Sequence, residues 1–321
     1  MADPARISPA LTLLILAGAA LASTAVFLTI GAEGRWSFVL ALRGQKLASL
    51  VLVGYAIAIS TVLFQTVLAN RILTPSIMGF DAVYVLIQTL CATFIGYARM
   101  NLIGPRLQFA IGVVVMGVVS VALARRMFAG GRRDLYFLAL AGLVLGGIMR
   151  GIASFLQRIL DPAAFAVLQD RMFASFNGVD GGMILSAVLP VIAVSWVAWR
   201  MRETFDVLAL GREPSISLGV DYTRTVTLAL MIIAVLVSVS TALVGPVTFF
   251  GLLVSNLAYR LMNTHRHAFI LPAAALVAVI CLVMGQVIVE QLFGFSTSLS
   301  IVIEFFGGIV FIVLLLRGRP S

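Results

Sequence analysis

Apolar residues fill the chain in ten runs separated by short polar caps, at 10–31, 47–69, 77–98, 107–124, 135–157, 184–200, 225–245, 247–261, 268–292 and 299–316. Most of these runs approach the roughly 20 residues that a helix needs to cross a bilayer. In lipid only closed backbone hydrogen bonding is stable, so the pattern predicts an all-α, polytopic membrane protein with about ten transmembrane helices. The eighth run is short and is parted from the seventh by Gly245-Pro246. Such a break is tolerated at membrane depth only where protein or water meets the freed backbone groups, and the sequence allows either one bent helix or two. The first run follows a single basic residue, Arg6, and passes the small residues Ala22, Ser23 and Thr24, which resemble a cleavage region. It continues beyond them, so an uncleaved first helix is expected. The fifth run contains Gly142-x-x-x-Gly146 followed by Gly147-x-x-x-Gly151, stripes of small residues that allow helices to pack closely.

Composition strengthens the membrane reading. Of 321 residues 61% are hydrophobic and 11% charged, too few charges to clothe a soluble domain of this length. No long hydrophilic stretch is left for a second domain, so residues 1–321 read as one transmembrane domain. The net charge of +9 does not indicate a nucleic-acid partner. The basic residues sit in short caps, all but Lys46 are arginine, and no basic stripe with interleaved aromatics is present. With the N-terminus in the cytoplasm most basic residues fall inside, led by the cluster Arg125, Arg126, Arg132 and Arg133. The expected topology has both termini cytoplasmic. Cys91 and Cys281 lie within apolar runs and imply no disulfide.

Catalytic chemistry is not in view. The sequence offers no nucleophile–base pair and no Walker A loop, and His265 and His267, two apart in a loop without Cys or carboxylate neighbours, make weak metal ligands. No catalytic residue, metal site or cofactor is therefore expected in this chain. Three charges lie within or near apolar runs: Arg150, Glu290 and Glu304. Facing lipid each would cost about 3 kcal/mol or more, so they should face protein or a pathway. A proton-coupled secondary transporter using Glu290 and Glu304 is the rival reading on these residues.

The segment 205–224, FDVLALGREPSISLGVDYTR, is the longest stretch of mixed polarity between runs. Its pattern predicts two short amphipathic helices separated by a turn. Leu208, Leu210, Ile216 and Leu218 would be apolar residues exposed at a membrane–water boundary, which suits docking on a partner.

The run from Ala209-Leu210-Gly211 to Leu218-Gly219-Val220 resembles the coupling helices of the FecCD family, the permease subunits that move iron–siderophores, haem or vitamin B12 through ABC importers. Further segments resemble the family in the same order: Arg43 to Ser60 with Gln65, Asn70 to Gly79, Gly245 to Leu253, His265 to Pro272, and Gly307 to Leu316. The chain departs from the family pattern at Arg71, where a proline is usual, and at Ser255-Asn256, where Pro-His is usual. Gln286 and Glu290 replace an aspartate and an arginine, and Glu304 lies in a last span without its usual prolines.

The resemblance implies a type II ABC importer permease fold, non-catalytic in itself. Its implied partners are two cytoplasmic ATPase subunits that bind ATP and Mg, a second permease (identical or a sister subunit), an extracytoplasmic substrate-binding protein, and an iron chelate as substrate. It further implies ATPase coupling through Leu208, Leu210, Gly211, Arg212, Glu213, Leu218 and Gly219. It also implies binding-protein docking at Arg43 and Lys46, a pathway place for Gln65, and a bacterial cytoplasmic (inner) membrane. Glu290 at the docking end and Arg150 and Glu304 in the translocation pathway are assigned from their charge in or near apolar runs.

Overall fold

A computed structural model describes residues 8–31, 36–76, 78–100, 102–128, 135–294 and 297–317. The helices are α1 (Pro9–Thr29), α2 (Trp36–Leu68), α3 (Phe80–Leu90), α4 (Tyr97–Met100), α5 (Pro105–Phe128), α6 (Leu135–Arg158) and α7 (Pro162–Met172). They are followed by α8 (Gly181–Arg200), α9 (Arg202–Leu208), α10 (Arg212–Ser217), α11 (Tyr222–Val244), α12 (Phe250–Met262), α13 (His267–Gln291) and α14 (Leu299–Arg317). Among the described residues 7 helices are long and apolar enough to span a bilayer. The other three runs form shorter elements. α3 gives way to a π-helical turn at Cys91–Ile95, α12 has 13 residues, and the described apolar part of α14 ends at Ile309.

Burial sorts these helices into a centre and a wall. α11, α2 and α13 bury 72%, 67% and 56% of their apolar stretch, whereas α1, α5, α6 and α8 bury only 17% to 22%. α2 packs along both α11 and α13, α1 lies against α13, and α5 lies against α11. The wall helices present Leu, Ile, Val and Phe outward, as lipid solvation requires. Gly54 brings α2 close to α13, where an added methyl would meet Leu282 Cδ1 at 3.1 Å and Ala278 Cβ at 3.4 Å.

Most helix starts follow local rules. Ser8 accepts from Leu11 N at 3.3 Å, Asp161 from Ala163 N at 3.0 Å, Asp180 from Met183 N at 2.7 Å and Asp221 from Arg224 N at 3.0 Å, each side chain satisfying an otherwise orphaned N–H. Asp161-Pro162 is a cap with proline at the first helical position. It starts α7 inside what the apolar pattern left as a loop between the fifth and sixth runs.

One open choice is settled and several expectations are revised. The seventh and eighth runs are two helices, because α11 ends at Gly245 and the chain is not helical again before Phe250. α2 begins at Trp36, so Arg43 and Lys46 lie within that helix and not just before it. His267 is not in a solvated loop; it opens α13 and is buried. The first of the two glycine pairs is used and the second is not. A methyl on Gly146 would lie 2.7 Å from the Cα of Gly79, and one on Gly142 would lie 3.1 Å from the carbonyl oxygen of Met78, whereas among the described residues no other element comes within 4 Å of a methyl on Gly147 or Gly151. Gly79 itself has φ +97, a conformation that only glycine adopts freely. Arg6, Arg35 and the basic side chains of 125–133 lie outside the described residues.

Candidate functional site

Two polar clusters stand at opposite ends of the α2–α13 pair. At one end α9 and α10 form a compact hairpin. Phe205 and Leu208, three apart and hence on one helix face, are both buried. Leu208 therefore anchors the hairpin to the bundle, at 2% exposure, and does not join the exposed apolar residues with which the sequence grouped it. Leu210, Ile216 and Leu218 do face out, at 60%, 49% and 63%, with Arg212 and Glu213 exposed beside them. The turn needs Gly211, whose φ is +99 and around whose Cβ position there is open space. The glycine thus serves the turn, not a close approach within this chain. Ser215 is fully buried and its hydroxyl donates to Val207 O at 3.0 Å, which ties α10 to α9. Gly219, φ +84, follows the end of α10.

The hairpin is joined to the bundle by polar contacts that the sequence did not single out. Asp206 Oδ1 accepts from the backbone N–H of His267 at 2.6 Å and lies 2.6 Å from its ring Nδ1. The other ring nitrogen lies 2.7 Å from Thr66 Oγ1 on α2. Arg71 stacks over the Tyr259 ring at 4.7 Å and lies 3.3 Å from His265 Nδ1. Gln65, assigned to the pathway, is buried here, and its Nε2 donates to Arg71 O at 2.7 Å, closing the turn after α2. These residues border a cavity of about 490 Å³ that also receives Leu210. The sequence signal that could have found Asp206 is its place as the carboxylate next to the buried Phe205 in a short amphipathic helix.

At the opposite end Lys46 Nζ and Glu290 Oε1 pair at 2.9 Å, with side chains only 17% and 8% exposed. Gln286 Nε2 donates to the same carboxylate oxygen at 2.9 Å. Arg43 donates to Phe27 O at 2.8 Å and Ile30 O at 2.7 Å, capping the carbonyls that end α1, and its guanidinium sits over the Phe27 ring at 5.9 Å. Arg43, Lys46 and Glu290 border one cavity of about 310 Å³ with Gln45 and Asn177. All three are thus engaged within the chain. Charge reversal at Arg43 and Lys46 would break α1–α2 and α2–α13 contacts as well as any external one.

Arg150 and Glu304 stand apart from both ends. Each is exposed on its helix, and Thr248 Oγ1 donates to Glu304 Oε1 at 3.4 Å. Asp81, on the first turn of α3, is a buried carboxylate whose Oδ2 has no hydrogen-bond partner among the described residues. Asp81 is an acidic residue inside an apolar run, and that was its legible signal.

Comparison with known proteins decides the family. Residues 7–317 match the FecCD transport family. The chain belongs to it. It is 44% identical over 307 residues to the petrobactin import system permease protein YclO of Bacillus subtilis, covering 96% of this chain and 97% of that protein. It is 32% identical to the petrobactin import system permease protein FatC of Bacillus anthracis, over 85% of this chain and 77% of that one. The ferric enterobactin permease protein FepD of Escherichia coli is 26% identical over 83% of this chain and 78% of its own length. A solved structure described as an inward-facing conformation of a metal-chelate type ABC transporter superposes with a TM-score of 0.85 at 21% identity, covering 97% of this chain and all of that one. The fold is that of an ABC importer permease, and the chain is an integral membrane protein.

Proposed function

We propose that this chain is the membrane-spanning permease subunit of an ATP-binding-cassette importer that brings a ferric siderophore into the cytoplasm. One observation carries the reading. Along nearly its whole length the chain corresponds to a petrobactin import permease, and the segment that resembles the family's coupling helices is a rigid hairpin presenting Leu210, Ile216 and Leu218 outward. Apolar side chains held at the polar edge of a bundle are suited to seating on a partner protein. That partner is an ATPase subunit, two per complex, which binds ATP and Mg. A second permease completes the membrane unit, and an extracytoplasmic binding protein delivers the chelate at the Lys46–Glu290 end. The permease itself catalyses no reaction.

On this reading the α9–α10 end and both termini are cytoplasmic. In a variant whose Cys91 and Cys281 are replaced, cysteine at Leu210 should react with an impermeant maleimide only from the cytoplasmic side, and cysteine at Leu292 only from outside. Labelling of both from one side overturns the topology.

The functional test is uptake of ferric petrobactin by proteoliposomes holding the permease, the second permease, the ATPase and the binding protein. Uptake should require ATP and persist when the proton gradient is collapsed. Leu210→Asp with Leu218→Asp should cut ATPase co-purification by about tenfold or more, the scale of losing central apolar anchors, while membrane abundance is kept. Uptake driven by a proton gradient without ATP would sink the reading in favour of a secondary transporter. Preferential uptake of haem or vitamin B12 would move the substrate assignment within the family.

A further inference from the structure

The hairpin could have been held to the bundle by apolar packing alone, since Phe205 and Leu208 are already buried. Such packing is non-directional and lets a short helix slide or rock. Asp206 adds what packing lacks. Its Oδ1 receives two N–H groups of one residue, the backbone and ring Nδ1 of His267, both at 2.6 Å. Two donors converging on one oxygen fix both the position and the angle of α9 against the first turn of α13. A carboxylate is acceptor-only, so Nδ1 carries the hydrogen. Nε2 then faces Thr66 Oγ1 at 2.7 Å, and that hydroxyl is in turn 2.9 Å from Val62 O of α2. The imidazole thus bridges α9, α13 and α2 in a single buried chain of contacts.

The same two helices are pinned again at their far ends. Thr66 lies 20 residues after Lys46, and His267 lies 23 before Glu290, separations of about 30 and 35 Å along a helix. That is roughly the thickness of the hydrocarbon layer. Between the pins Gly54 seats α2 directly against Ala278 and Leu282, and both helices are among the most buried of the bundle. Two antiparallel helices in close contact, tied at each end by a directional polar link, cannot shear past one another without breaking one of the links.

We infer that the α2–α13 pair is a strut that carries movement of the α9–α10 hairpin across the membrane to the Lys46–Glu290 end, with Asp206, His267 and Thr66 as the positioning residues that join it to the hairpin. This rests on the reading that the hairpin seats on the ATPase, and it adds the route by which that seat reaches the far face.

The test uses the assembled transporter in proteoliposomes, with ferric petrobactin as the transported probe. Three quantities are read: ATPase co-purification, ATP hydrolysed per chelate imported, and the ATP-dependent change in maleimide reactivity of a cysteine at Leu292, whose native side chain is 76% exposed. Asp206→Ala should keep the ATPase bound, raise the ATP used per chelate by about tenfold, within the usual range of coupling between sites, and abolish the ATP-dependent change at position 292. Asp206→Asn should restore both coupling readouts, because its amide oxygen can still accept from both N–H groups of His267. Thr66→Val preserves size and apolar packing and guards against a folding failure of the alanine variant. It should raise the ratio by about threefold, in keeping with loss of a single hydrogen bond.

An unchanged ratio and an unchanged response at 292 in Asp206→Ala and Thr66→Val overturn the strut and leave the docking reading standing. An Asp206→Ala variant that loses its ATPase also overturns it, because the polar link would then shape the docking surface. If Leu210→Asp with Leu218→Asp leaves the ATPase bound, it is the docking reading that fails.

Discussion

Gly146→Leu should abolish the folded permease, and Gly146→Ala should lower its stability by about 2 kcal/mol, typical of forcing extra methylenes into a packed core. The reason is the approach of two backbones. A methyl on Gly146 would stand 2.7 Å from the Cα of Gly79 and 3.4 Å from its amide nitrogen, and backbone cannot rotate aside as a side chain can. Gly79 cannot give way either, since its φ of +97 marks the turn that starts α3. Gly147→Ala supplies the control. It adds the same methyl one residue along the same helix, where among the described residues no other element comes within 4 Å, and it should be neutral or slightly stabilising because alanine favours a helix over glycine. The measurement is thermal stability in detergent followed by size-exclusion fluorescence. Equal melting of the Gly146→Ala and Gly147→Ala proteins would show that the α3–α6 crossing is not tight.

Glu290→Gln should destabilise the bundle by about 3 kcal/mol, because it removes the carboxylate that neutralises Lys46 at a site where both side chains are largely buried. Lys46→Met should do comparable damage by taking the cation away from the Glu290 carboxylate, which still accepts from Gln286 Nε2. Lys46→Met combined with Glu290→Met should recover most of the loss. Breaking a buried pair leaves one charge uncompensated, whereas replacing both charges by apolar groups removes the desolvation penalty along with the attraction. A double-mutant cycle on melting in detergent reads the coupling directly. Additive losses in the cycle would mean that the two charges do not meet.

Much of this was visible in the order of residues. The ten apolar runs correspond to helical elements because lipid leaves the backbone few other ways to satisfy its N–H and C=O groups. Gly245-Pro246 marked a break for the same reason. The two short helices at 205–224 were legible from Gly211 and Gly219, which punctuate an amphipathic stretch. What escaped was long-range pairing. Nothing local to Arg43 shows that the carbonyls ending α1 need a donor, so the apolar pattern started the second span too late, at 47, and left Arg43 and Lys46 just before it. His265 and His267 looked alike in sequence, yet one reaches Arg71 while the other is buried against Asp206. That distinction depends on a carboxylate 61 residues away. Asp81 was overlooked because a single acid in an apolar run leaves hydropathy almost unchanged, although its carboxylate is buried. Leu208 was misassigned because an amphipathic helix shows which residues share a face but not which face turns inward.

The Lys46–Glu290 pair has a consequence for how the protein is made. The partners are 244 residues apart in the chain, and at about 5–20 residues per second a ribosome needs roughly 12–50 s to synthesise that interval. Throughout it α2 is complete while the carboxylate that will neutralise its lysine does not yet exist. Nor are His267 and Asp206, which anchor the other end, available until most of the chain has emerged. The α2 helix must therefore wait, with Lys46 reaching for the headgroup region, until α13 arrives to take its place beside it. Assembly of the centre of this bundle is a late event of biogenesis, and a nascent chain truncated before Glu290 should leave α2 more open to membrane quality-control proteases than the finished protein does.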